Sequence, residues 1–345
     1  MGEPALPVAT VTVNAREYAI PRRPTVAITI DGCDPRYLDD ALARGLMPRL
    51  GEMLGSGGAY HLGRGQMPSF TNINNISIVT GAPPVVHGLP GNHYLAPSGA
   101  EVQLSDPSFL RAPSIHAAMR QVGAKVLCVT AKDKLRRLLA HGDVPATSAE
   151  KADAHPIPAY GIDDVVALVG RTNPGPYEWD MSHYMIEIGL AVSREVGLLD
   201  LMYLSTTDFV QHAEGPGGAM SDRYLRRFDA LLGELLDLGY VVGMVADHGM
   251  NAKHHPDGAP RVHYLEEILA AAGIGACLVV LPITDPYVVH HGALSSFAWV
   301  HCAEEDRERA HEALGALTGI EEVFSREEAA VIYQHPTDRI GDLSV

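Results

Sequence analysis

Lysine is scarce in this chain: five residues among 26 basic ones, against 42 acidic groups and a net charge of −16 over 345 residues. No basic stripe is available to neutralise a phosphate backbone, which excludes nucleic acid as a partner. An anionic small molecule would need positive charge supplied locally, by metals or by a few placed cations. Cysteine is also sparse. Cys33, Cys128, Cys277 and Cys302 are scattered without a CxxC pair. They read as free thiols rather than a disulfide framework, which fits a reducing, cytoplasmic location. The N-terminal "MGEPALPVATVTVNAREYAIPRRP" lacks the basic start and apolar block of a signal peptide. No apolar run reaches the length of a membrane span, so no membrane partner is expected. Internal repeats and low-complexity tracts are absent.

What is present is a globular composition, 46% apolar and 20% charged. Short apolar runs alternate with amphipathic helical patterns. "TVAITIDG" (25–32), "KVLCVT" (125–130), "LDLMYLSTTD" (199–208), "YVVGMVADHG" (240–249) and "ACLVVLPIT" (276–284) predict buried strands. "APSIHAAMRQVG", "SHYMIEIGLAVSREVG" and "SDRYLRRFDALLGELLDLG" predict helices, the last capped by Ser221 or Asp222 and stopped at Gly239. This alternation predicts an α/β fold: a doubly wound, mostly parallel sheet with a smaller inserted α+β cap. We expect a catalytic core over 1–255, the cap over 256–336, and a return to the core over 337–345, where "GDLSV" begins a strand.

Three of the strands end in a carboxylate: Asp31, Asp208 and Asp247. In open α/β sheets ligands bind outside the carboxyl ends of the strands. Three aspartates gathered there would repel one another unless a cation sat between them, and a divalent metal is the simplest such cation. His248 follows Asp247 directly. His212 follows Asp208 by four residues in "DFVQH", so a helical turn would put both on one face. Mixed Asp/His donors suit zinc better than magnesium or calcium. A lone strand-end aspartate is more often a helix cap; three of them with two histidines make a stronger signal. Thr71, at the start of the helical pattern "NINNISIVTG", is a nucleophile candidate beside a helix N-terminus that favours anions. A simple capping role for Thr71 is compatible with that.

"TIDGCDP", "MPSFTNINN", "HGLPGNHY", "TTDFVQH" and "ADHGM" resemble the nucleotide pyrophosphatase/phosphodiesterase branch of the alkaline phosphatase superfamily. "AKDKL" and "PITDPYVVHHGAL…FAWVH" are similar, more narrowly, to the phosphonoacetate hydrolases. The resemblance implies an alkaline phosphatase-like core holding two zinc ions. Asp31, Thr71, Asp247 and His248 would bind one; Asp208 and His212, with a third histidine, would bind the other. It implies that Thr71 is the nucleophile and that Asn92 cradles the phosphoryl oxygens. The substrate would be a small anionic phosphonate, phosphonoacetate, cleaved to acetate and phosphate, with Lys132 and Lys134 supplying positive charge for the carboxylate. A homodimer is the expected assembly.

The family's third histidine lies in a C-terminal "HGG"-like segment. None of His290, His291, His301 and His335 stands in such a context, so we expect the second zinc site to be incomplete, with His291 the first substitute to test. His254 and His255 read as a surface loop. Two alternatives stay open: a zinc phosphodiesterase or nucleotide pyrophosphatase using the same metals, and a catalytically impaired zinc-binding protein.

Overall fold

The structure, a computed structural model, describes residues 9–175, 177–283 and 296–345. These divide into two compact units. The first comprises the described residues of Met1–Gly65, Ile78–Gly81 and Pro113–Met250; the second comprises those of Gln66–Ser77, Ala82–Ala112 and Asn251–Val345.

The first unit is built on five parallel strands: β1 (Thr25–Thr29), β2 (Val126–Thr130), β3 (Ala146–Ser148), β4 (Leu201–Ser205) and β5 (Val241–Val245). Their spatial order is β3-β2-β4-β1-β5. Every residue of β2 is buried, as expected for a strand covered on both faces. Four helices concern the site: α1 (Asp133–Leu139), α2 (Met181–Val196), α3 (Phe209–Ala213) and α4 (Ala219–Asp237). Helix α2 lies on β2 and β4, and α4 lies on α2. Val26, Ile28, Leu127, Val129, Met202 and Leu204 join residues of these helices in one apolar core. Burial of each such side chain is worth about 1.5–3 kcal/mol, enough to fix the strands' register.

That register sets the site. Thr29, Thr130 and Val245 are each level with Ser205 or its β1 partner: Thr29 pairs with Ser205 and with Val245, and Thr130 pairs with Ser205. The next peptide continues the ladder, with Ala131 N donating to Ser205 O, Thr206 N to Thr29 O and Ile30 N to Val245 O. Four strands therefore finish at one height.

Two expectations change in this unit. Strand β5 is at the sheet's edge among the described residues, and Val245 is 40% exposed; the apolar run said "buried", but an edge strand is covered less than a central one. Helix α4 starts at Ala219, before Ser221 and Asp222. The Glu214 carboxylate accepts from Met220 N and Ser221 N, so a side chain outside the helix supplies the cap. The stop at Gly239 holds: its φ is +99°, and its N–H reaches Leu236 O.

The second unit has its own antiparallel sheet, in the order Leu278–Val280, Trp299–His301, Leu343–Ser344, Phe324–Ser325. Alternate side chains face two small cores. Val300 and Leu343 join Leu269, Ile274, Ala310 and Leu314, whereas Trp299 joins Val280, Phe297, Ala329 and Ile340. Ser325 and Glu328 form a reciprocal capping box that starts the helix Arg326–Ile332.

The unit boundaries depart from the expected 1–255, 256–336 and 337–345. The final strand pairs inside this smaller sheet rather than with the parallel one. "GDLSV" has the composition of a strand, but five residues carry no information about which sheet will accept them. Residues 66–77 and 82–112 also belong to the second unit, where Met67 and Leu95 pack on the Trp299 cluster. Among the described residues no helix is long and apolar enough to cross a membrane.

Candidate metal centre and active site

Asp31 lies two residues past the end of β1, and Asp247 two past the end of β5. Asp31 N donates to Thr206 Oγ1 at 2.8 Å, which ties the β1 tip to the β4 tip. Asp247 Oδ1 accepts from Gly32 N at 3.2 Å and from His248 N at 3.0 Å. Gly32 has φ +66°, and a Cβ there would lie 2.9 Å from Asp208 Cβ. Only glycine lets the chain turn and pass this close.

His248 Nε2 stands 3.1 Å from Asp31 Oδ1, and its Nδ1 donates to Gly249 O at 2.9 Å. The carbonyl fixes the ring by accepting the hydrogen bond from Nδ1–H, so Nε2 is turned toward carboxylate oxygens. One donor atom from each of Asp31, Asp247 and His248 lies within 4.8 Å of the others. Among the described residues this is the cluster able to hold a metal ion. A carbonyl-oriented histidine beside two buried carboxylates is the donor set that such an ion requires.

Electrostatics agree with the geometry. Burial, followed by repulsion from Asp208 and Asp247, pushes the Asp31 carboxyl well above the usual carboxylate range. Burial also raises Asp247, with Asp208 adding to it, against the pull of His248 and the Gly32 N–H. Burial alone would lower His248, but the hydrogen bond to Asp31 and the charges of Asp247 and Asp31 push it up to about 10. The cluster therefore retains a positive charge, on the imidazole, between its carboxylates. Cys33 lies beside it, but burial pushes that thiol up to about 12, so it stays protonated.

Asp208 opens α3, and His212 N donates to Asp208 O at 2.9 Å. The helical turn expected from "DFVQH" is there, and it brings His212 Nε2 within 3.0 Å of Asp208 Oδ2. Burial would raise Asp208, but the His212 hydrogen bond and charge, with His248 beyond, hold it below the usual range.

Lys132 lies two residues past the end of β2 and precedes α1, with Thr130 Oγ1 donating to its carbonyl at 2.8 Å. Its ammonium sits over the Tyr177 ring, 4.9 Å from the centroid. Lys134 is inside the first turn of α1, and partial burial lowers its pKa. By register Lys132 is at the same edge of the sheet as the three aspartates.

The helix Thr71–Thr80 does begin at Thr71. Asn75 Nδ2 donates to Thr71 O at 2.9 Å, and Asn72 Nδ2 to Asn92 Oδ1 at 2.8 Å. Asn92, from another segment, is thus anchored beside the residue that follows Thr71. Of the late histidines, His335 is buried with Nε2 at 2.6 Å from Met67 O, and His301 ends the strand Trp299–His301. His290 and His291 lie outside the described residues. His254 and His255 are exposed, as expected. Sequence reasoning missed Thr206, the Gly249 carbonyl and Tyr177. Gly32, directly after the Asp31 that ends an apolar run, was a signal that could have been used.

A sequence model of the type I phosphodiesterase / nucleotide pyrophosphatase family matches residues 25–345. The chain belongs to this family. More particularly, it is similar to the phosphonoacetate hydrolase of Sinorhizobium meliloti 1021, solved in complex with phosphonoformate: 45% identity, TM-score 0.93, covering 98% of this chain and 84% of that one. The same enzyme in complex with phosphonoacetate matches over the same shares at 44% identity and TM-score 0.93. Murine ectonucleotide pyrophosphatase / phosphodiesterase 5 shares the fold at 17% identity, with TM-score 0.59 over 93% of this chain and 78% of that one.

Proposed function

We propose that the chain is a zinc-dependent hydrolase that cleaves the carbon–phosphorus bond of phosphonoacetate, giving acetate and phosphate. The observation that carries this is the common height of the strand ends, which brings Lys132 to the edge that also holds Asp31, Asp208 and Asp247. A phosphonate with a carboxylate needs both a metal-binding cluster and a separate cation, in a chain otherwise strongly acidic. The 45% identity to a phosphonoacetate hydrolase supports the same substrate.

Asp31, Asp247 and His248, with Thr71, would hold one zinc, and Asp208 with His212 the other. Bound there, zinc neutralises the carboxylates, lowers the pKa of a coordinated hydroxyl and balances charge on phosphonyl oxygens. Thr71 is the nucleophile. Its Oγ, having released its proton to solvent, attacks phosphorus in line, the P–C bond breaks, and the electron pair passes to the acetate carbon, delocalised into the carboxylate as an enediolate. Lys132 and Lys134 face this growing charge, and solvent supplies the proton that completes acetate. Water then attacks phosphorus and releases Thr71 Oγ with inorganic phosphate. Because Asn92 Oδ1 already accepts from Asn72, its amide N–H groups are the end left to donate to a phosphonyl oxygen.

Thr71→Ala should retain the melting temperature and lose about a thousandfold in turnover, the scale of losing an activated nucleophile. Near-wild-type turnover would sink the mechanism. A phosphodiesterase reading is favoured by the family match; parallel assays of phosphonoacetate and a nitrophenyl phosphodiester, with the zinc-loaded chain, decide between them. Faster hydrolysis of the diester would replace the phosphonate as substrate.

A further inference from the structure

His335 holds no metal in the mechanism above, yet it is buried inside the second unit, 1% exposed. Three rings surround it: Trp299 at 5.2 Å, Tyr333 at 5.5 Å and Phe297 at 6.4 Å between centroids. Burial pushes its pKa down to about 4, so the imidazole is neutral and carries one N–H. Its Nε2 stands 2.6 Å from Met67 O. A carbonyl can only accept, so the proton is on Nε2. Among the described residues Nδ1 has no hydrogen-bond partner. The bond to Met67 is therefore the ring's polar anchor.

That acceptor lies four residues before Thr71, and the segment around it is gripped from two sides. On one side is Asn74, inside the helix that Thr71 begins. Its Oδ1 accepts from Gln66 N at 2.7 Å, and its Nδ2 donates to Gln66 O at 3.1 Å and to Phe70 O at 3.2 Å. On the other side are residues 333–335. Gln66 Nε2 donates to Tyr333 O, and His335 donates to Met67 O. Gln66 Nε2 also approaches Met67 O, but only to 3.4 Å. Between Tyr333 and His335, Gln334 has φ +54°, a region that few non-glycine residues occupy, and its carbonyl accepts from Val85 N at 2.7 Å. A strained turn of this kind persists where its surroundings over-determine it. Here it turns Tyr333 and His335 onto two consecutive residues, Gln66 and Met67. From Met67 the chain runs through one further turn, Phe70 N donating to Pro68 O at 3.0 Å, and enters the helix at Thr71.

We propose that His335 is a positioning residue for the nucleophile: its Nε2–H bond to Met67 O fixes the segment that leads into Thr71, and with it the place of the Thr71 hydroxyl. This rests on Thr71 being the nucleophile, as proposed above. His335 touches no substrate in this role.

The test compares the full zinc-loaded chain with His335→Phe, which keeps a ring in the cluster and loses the donor, and His335→Gln, whose amide restores a donor. His335→Phe should lower kcat about tenfold to a hundredfold, the scale of misplacing a reacting group by about 1 Å, with KM little changed. Phosphonoacetate and a nitrophenyl phosphodiester should be slowed by the same factor, because one hydroxyl would attack both. His335→Gln should recover most of kcat. In a Thr71→Ala background His335→Phe should cost nothing further, since residues that act as a unit are not additive. A second readout does not depend on turnover. In the 15N-histidine-labelled chain, the signal absent from His335→Phe should be a neutral imidazole protonated on Nε2, its proton slow to exchange with solvent. An Nδ1–H tautomer there overturns the proposal. So does a loss carried by KM, a His335→Gln as slow as His335→Phe, or a further loss in the Thr71→Ala background. Unchanged kcat in His335→Phe, with Thr71→Ala inactive, overturns the proposal and leaves the nucleophile standing. Near-wild-type turnover of Thr71→Ala removes the nucleophile, and the proposal with it.

Discussion

His248 leaves 9% of its side chain exposed and is gripped between the Gly249 carbonyl and Asp31, whereas His212 leaves 46% exposed on a short helix beside Asp208. Both are strand-tip histidines next to an aspartate, but the charge balance around them differs. Asp31 and Asp247 are two buried carboxylates to one imidazole, and their raised pKa values record the conflict. Asp208 and His212 are one to one, and the histidine holds its carboxylate below the usual range. A cluster with excess buried negative charge gains most from a divalent cation. A half-exposed pair already in mutual contact must give up that contact to bind one. The first should therefore behave as the tight metal site and the second as the weak one.

The largest effect should come from Asp247→Asn. The amide oxygen can still accept from Gly32 N and His248 N, so the fold should survive. Turnover and tightly held zinc should fall by at least about a hundredfold, the upper end of what losing a mere supporting group does. The metal-free protein should melt at the same temperature or higher, because a buried repulsion is relieved. A lower melting temperature for the metal-free variant would show that the carboxylates were not in conflict. Next in size, His212→Ala should weaken only the second metal. Stepwise chelation followed by metal analysis should still find about one zinc per chain held as in wild type, with activity down by about tenfold to a hundredfold. Loss of both ions together would erase the distinction between the two sites. Smallest is Gly32→Ala, at the residue whose N–H serves Asp247 and whose Cα faces Asp208. The positive φ and the 2.9 Å approach should cost about 1–3 kcal/mol of stability. Asp208 should yield before Asp247, so the weak zinc should be lost first. Unchanged stability and metal content would mean that the turn has more room than the static geometry allows.

The layout of the candidate site was partly legible because the residues proposed for it are marked by local pattern. Asp31, Asp208 and Asp247 stand at the ends of apolar runs, and the spacing of Asp208 and His212 is one helical turn, so neither depends on distant chain. Thr71 was legible at a helix start for the same reason. The Gly249 carbonyl behind His248, the Thr206 hydroxyl under Asp31 and the Tyr177 ring over Lys132 were not legible. A backbone acceptor has no sequence signature, and the other two contacts join residues far apart in the chain.

The sequence by itself determined the alternation of strand and helix, the placing of carboxylates at strand ends and the choice of nitrogen and oxygen donors, because periodicity and side-chain chemistry are local properties. Tertiary structure decided the rest. It set β5 at the edge, sent the strand Leu343–Ser344 to the smaller antiparallel sheet, gave α4 its cap from Glu214, and aligned four strand tips at one height. Each of those outcomes depends on which apolar faces find one another. Five residues of strand fit many sheets equally well until a core of buried neighbours selects one.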